Sequence, residues 1–224
     1  MRTVHQIVFM SYKVCMFLLL LIIAGVPAKA QKPFTEGTIV YKVKLIAADQ
    51  KEISGVYTFV IKGAEIRKEL KLNNGYQDVV LLNCNNSKIY SLQSRGNKKY
   101  AIQLSMDEML KKQEKFSGYT VRNEAANNKN IAGYASYRGN INYRDGSNES
   151  IVYTKDWSPT QPVTFERFPD AKFLPMSFSY KDENNIVMQF EIDQIAPGPV
   201  ETSVFRIPAD YNMISYAEYK QLSK

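Results

Sequence analysis

Gly37-Thr38-Ile39-Val40-Tyr41-Lys42-Val43-Lys44-Leu45 sets Ile39, Tyr41, Val43 and Leu45 against Thr38, Val40, Lys42 and Lys44 at period two. Successive side chains of an extended chain point to opposite faces, so the stretch reads as a β-strand with one apolar and one wet face. Similar runs recur at residues 55–62, 66–72, 78–82, 88–92 and 99–104. Between them stand Gly63-Ala64, Asn73-Asn74-Gly75, Asn85-Asn86-Ser87 and Arg95-Gly96-Asn97, all suited to tight turns. The first half of the chain is therefore expected to be an antiparallel meander.

Further on, Ser105 followed by Glu108 is a capping box that opens a helix over 106–116, with Met109, Leu110, Gln113 and Phe116 on a narrow stripe. Residues 117–130 carry Asn123, Asn127, Asn128 and Asn130 without apolar periodicity and are expected to form a long exposed loop. Strands resume at 133–143 and 149–155, joined across Asp145-Gly146-Ser147-Asn148. Residues 156–175 contain Pro159, Pro162, Pro169 and Pro175, and proline cannot donate to a ladder, so this piece reads as a crossing segment or a flap. A hairpin over 176–180 and 186–195, a last strand over 204–207 stopped by Pro208, and a short terminal helix over 216–222 complete the reading. The fold class expected is mainly β, an antiparallel curved sheet of about eleven strands with one or two short helices.

The N-terminus has a separate logic. Arg2 and Lys13 precede an unbroken apolar run over 16–26, and Pro27-Ala28-Lys29-Ala30 ends in an A-x-A signal, so residues 1–30 are expected to be a cleaved secretory leader with Gln31 first in the mature chain. The run is too short for a spanning helix, and Cys15 lies before it, where it cannot serve as a lipid attachment site. Loss of Arg2, Lys13 and Lys29 lowers the formal net charge from +7 to +4. Residues 31–224 are of one domain's length. The single histidine, His5, leaves with the leader, which excludes Ser-His-Asp and Cys-His nucleophiles and histidine-ligated metals from the mature domain. Cys84 remains as the one thiol, so no internal disulfide is available, and its place after the apolar run 79–82 suggests a buried, inert group.

The chain resembles the LolA-like fold of Gram-negative periplasmic carriers along Ser54-Gly55-Val56-Tyr57-Thr58-Phe59-Val60-Ile61-Lys62, Ile89-Tyr90-Ser91-Leu92 and Val204-Phe205-Arg206-Ile207-Pro208-Ala209-Asp210-Tyr211. Ile131-Ala132-Gly133-Tyr134, residues 149–157 and Leu174-Pro175-Met176 are similar to uncharacterised secreted relatives of that fold, including GLPGLI-type families. The resemblance implies an open half-barrel with an apolar concave face, a place in the periplasm or at the cell surface, and a lipid, an acyl chain or a lipoprotein as partner. Gly63 and Ala64 stand where the lipoprotein carriers have an arginine and a proline, and the first strand starts without a preceding helix.

The candidate binding residues lie on one strand. Val56 and Val60 occupy one of its faces and Tyr57, Phe59 and Ile61 the other, so neither face is wet. Two readings stand side by side: a sheet whose second face is covered by the helix and the proline-rich segment, or an apolar groove for an amphipathic ligand. No catalytic residue, metal site or cofactor is expected. Asp145, Asn148 and Glu149 have hairpin-turn spacing and not that of a calcium loop. The fifteen tyrosines beside scattered cations suit cross-strand pairing, and the weak positive charge argues against nucleic acid. A membrane surface is a further candidate partner. The leading expectation is an exported non-catalytic binding module; the alternatives are a secreted protein with a protein partner and a carboxylate- or Ser-Lys-based hydrolase.

Overall fold

The computed structural model describes residues 31–182 and 184–222, and for 123–129 the backbone alone. The expected leader, residues 1–30, lies outside the described residues. The meander takes the form that the alternation anticipates. Strands β2 (Glu36–Ile46), β3 (Glu52–Lys62), β4 (Glu65–Leu72), β5 (Gln77–Asn83), β6 (Lys88–Arg95) and β7 (Lys98–Ser105) follow one another, each antiparallel to its neighbour. Helix α1 (Met106–Glu114) begins where the capping box places it, the Ser105 hydroxyl accepting the Glu108 backbone N–H at 3.2 Å.

The second half runs β8 (Thr120–Ile131), β9 (Tyr134–Asn142), β10 (Asn148–Thr154), β12 (Leu174–Lys181) and β13 (Val187–Pro197), and β13 lies antiparallel to β2. With β14 (Asn212–Ser215), a curved, unclosed sheet of twelve strands results, ordered β14-β7-β6-β5-β4-β3-β2-β13-β12-β10-β9-β8. A parallel pair, β1 (Lys32–Phe34) with β11 (Trp157–Pro159), stands apart from it. The quoted strand β2 is central, and its apolar set Ile39, Tyr41 and Val43 is fully buried. Gly37 opens this strand at φ +146°, where an added Cβ would lie 2.4 Å from the Ala196 carbonyl oxygen, so glycine is required for β13 to close against it.

Two expectations need correction. Residues 120–131 are not a loop but the edge strand β8, paired with β9 through two register shifts. Ladder bonds need only backbone, so an asparagine-rich edge strand can form without any apolar alternation. Residues 204–207 are not a strand either; Thr202–Phe205 make a 3-10 turn, and the last strand is β14 (Asn212–Ser215), parallel to β7 and followed by α2 (Tyr216–Leu222). Pro199 and Pro208 bracket the stretch and deny it ladder donors. Its Ile207 instead packs, with Tyr211, on a small apolar cluster of Val79, Leu81, Leu92 and Ala101.

Candidate functional site

The register of β3 decides where its apolar residues go. Tyr57 lies opposite Tyr41 and Leu70, Phe59 opposite Ile39 and Lys68, and Ile61 opposite Ile66, all on the face that carries the main core. Phe59 and Ile61 are 3% and 1% exposed, and Tyr57 is half-buried. Val60 is half-buried on the opposite face and Val56 is 41% exposed there. On that second face the sheet also forms a basin of about 520 Å³ whose walls include Lys44, Arg138, Ser177, Ser179 and Glu191.

The core face is roofed by the proline-rich piece. Residues 160–173 hold one 3-10 turn and no strand, and they lay the buried side chains of Val163, Phe165, Phe168, Ala171 and Phe173 on the sheet. Phe165 sits 5.1 Å from the Phe59 ring, and Phe168 lies 5.2 Å from Phe178. Phe178, Phe190 and Tyr180 form a stacked column beneath, with centroids 4.6 and 5.6 Å apart, and Tyr57 joins it 6.0 Å from Phe190. Burial pushes the Tyr57 phenol well above its ordinary range.

This strap is tied down by side chains. Lys68 donates to the Val163 carbonyl at 2.8 Å, Gln113 of α1 donates to the Pro162 and Phe165 carbonyls at 2.9 and 3.1 Å, and Tyr143 donates to the Arg167 carbonyl at 3.2 Å. Arg167 in turn pairs with Glu149 and lies between the rings of Phe116 and Tyr180. Downstream, Tyr41 donates to the Pro175 carbonyl at 2.7 Å, and Pro175 itself falls at the bulge where β10 and β12 lose register.

Sequence reasoning passed over two of these groups. Lys68 occupies the middle of Ile66-Arg67-Lys68-Glu69-Leu70, where the period-two pattern calls for an apolar residue; that break was the legible signal. Its ammonium is buried, and desolvation lowers its pKa. Glu149 was read only within a turn, where the Asp145 carboxylate does accept the Ser147 N–H at 2.9 Å; its pairing with Arg167, eighteen residues away, carried no local signal.

No family model matches the chain. No curated protein matches it either. Among solved structures it is similar to a LolA superfamily protein, NE2245 from Nitrosomonas europaea, with 12% identity and a TM-score of 0.41 over 80% of this chain and 93% of that one. It is also similar to MucB in a complex with MucA(peri), with 11% identity and a TM-score of 0.39 over 80% of this chain and 58% of that one. Likeness at this level concerns the path of the chain. The residues of this protein itself carry the functional reading.

Proposed function

We propose that the domain is an exported, non-catalytic binding module that holds an amphipathic or lipid-like ligand, or the lipid of a lipidated partner, between its sheet and the strap of residues 160–173. The observation that supports this reading is the form of the roof. An apolar face bearing Tyr57, Phe59 and Ile61 is covered by a strap that shares no β-ladder with the sheet and is held by five buried apolar side chains, a few side-chain-to-carbonyl bonds and the Arg167–Glu149 pair. Such a strap can lift while the β-ladders stay intact, and an acyl chain offers the exposed face the same apolar contact that Phe165 and Phe168 give it. Export follows from the leader reading of residues 1–30, and the mature chain brings no histidine to any chemistry.

The test is a titration of the protein with a fluorescent acyl probe. Burying a medium-length chain at about 0.8 kcal/mol per methylene, less the costs of association and of moving the strap, gives micromolar affinity. Phe59→Asp and Tyr57→Asp are expected to weaken binding, whereas Val60→Asp on the opposite face leaves it intact, with circular dichroism verifying the fold of each variant. Absence of binding tighter than about 100 µM in the unmodified protein refutes the proposal.

A further inference from the structure

We propose that the ligand held under the strap is a single-chain amphiphile with an anionic head, and that the head pairs with the ammonium of Lys68. The inference rests on the carrier reading above and names the ligand class for that site. Lys68 is 4% exposed and stands on the core face between Phe59 of β3 and Val80 of β5. An ammonium has three donors to satisfy. Among the described residues, the Val163 carbonyl takes one of them at 2.8 Å, and the nearest carboxylate, that of Glu166, stands off at 3.9 Å, beyond hydrogen-bond length. The Phe59 ring lies 5.9 Å from the nitrogen, a weakly attractive contact, and the Cys84 thiol is a further neighbour.

A buried cation with one hydrogen bond and a distant counter-ion is poorly compensated, and an anion brought beside it in that low-dielectric setting is held far more tightly than in water. Glu166 is 66% exposed on the strap. Its carboxylate therefore moves out into solvent with the strap and leaves the ammonium to the incoming head. From Lys68 the rings of Phe59, Tyr57, Phe190 and Phe178 follow one another at centroid spacings of 4.5, 6.0 and 4.6 Å, a continuous apolar floor for the tail. Head and tail thus find adjacent partners under the same strap.

The experiment compares dodecanoate, dodecyl phosphate and dodecanol, each below its aggregation limit, in calorimetric titrations of the protein near neutral pH. Both anions are expected to bind at least about tenfold more tightly than the alcohol, the worth of one charge-assisted bond. Lys68→Met is expected to abolish that preference, read as an anion-to-alcohol affinity ratio near one. Glu166→Gln, at a position 66% exposed, removes the competing carboxylate and is expected to raise the anion-to-alcohol affinity ratio several-fold; it decides the matter even if Lys68→Met fails to fold. Equal affinity of the unmodified protein for alcohol and anions, or an anion-to-alcohol ratio unmoved by Glu166→Gln, overturns the inference and leaves the carrier reading standing. Failure of all three compounds to bind overturns both.

Discussion

Arg167 and Glu149 form a two-point ion pair beneath the strap, the Arg167 Nε donating to Glu149 Oε2 at 3.1 Å and a terminal guanidinium nitrogen to the second carboxylate oxygen. The side chains are 19% and 11% exposed, and the guanidinium lies 4.4 Å from the ring centroids of both Phe116 and Tyr180. One residue of the strap is thereby joined to β10, β12 and the end of the helix segment.

Breaking that pair on one side leaves a desolvated charge without its partner. Glu149→Gln or Arg167→Met is expected to destabilise the domain by about 3 kcal/mol, read as a lower midpoint in urea with an unchanged slope. A double variant that costs as much as the sum of the two singles would show that the pair is not coupled.

Alkaline pH is expected to unfold the protein through its phenols. Burial pushes Tyr143 and Tyr180 up to about 12, Arg167 partly opposing the rise at Tyr143, while an unfolded tyrosine ionises near its ordinary value of about 10. The fold binds the protonated form more tightly, so the stabilisation is complete below pH 10 and is lost as pH rises from about 10 to about 12, on the order of 2 kcal/mol for each group. Phenolate absorbance near 295 nm is expected to appear together with loss of circular dichroism. Ionisation of all the tyrosines near pH 10 without unfolding would contradict the burial.

Lys68 acts with the opposite sign. Burial lowers its pKa, so holding the ammonium charged in the fold costs stability that a neutral side chain does not cost. Lys68→Met is expected to raise the melting temperature at neutral pH, by about 1 kcal/mol of stability once loss of the Val163 bond is set against it, and the gain is expected to shrink as pH rises toward the unfolded lysine's value. A lowered melting temperature would mean that the tie to Val163 outweighs the cost of desolvating the ammonium.

Cys84 is a free thiol, half-buried, and burial raises its pKa despite the neighbouring Lys68. Slow alkylation in the native state is expected, with rapid reaction after unfolding, and the melting temperature of monomeric protein is expected to be the same with and without reductant. Native alkylation at the rate of an exposed thiol would contradict this environment.

What the sequence by itself determined is what local repetition can specify. The alternation of Ile39, Tyr41 and Val43, the turn residues between runs and the Ser105 cap placed the meander and α1, because each depends on neighbours in the chain. The prolines of 156–175 likewise pointed to a flap, which 160–173 form, while Pro175 falls at the bulge that opens the inner strand β12. Residues 120–131 and 204–207 were misread because pairing along an edge and packing over a face are settled by distant partners. Both faces of Val56–Ile61 were apolar in the sequence, and only the tertiary structure roofed Tyr57, Phe59 and Ile61 while leaving Val56 exposed. The pairing of Glu149 with Arg167 and the burial of Lys68 beneath Val163 belong to the same class: a charge reads as solvated until the fold brings a strap across it, and the desolvation that makes it costly exists only in the folded state.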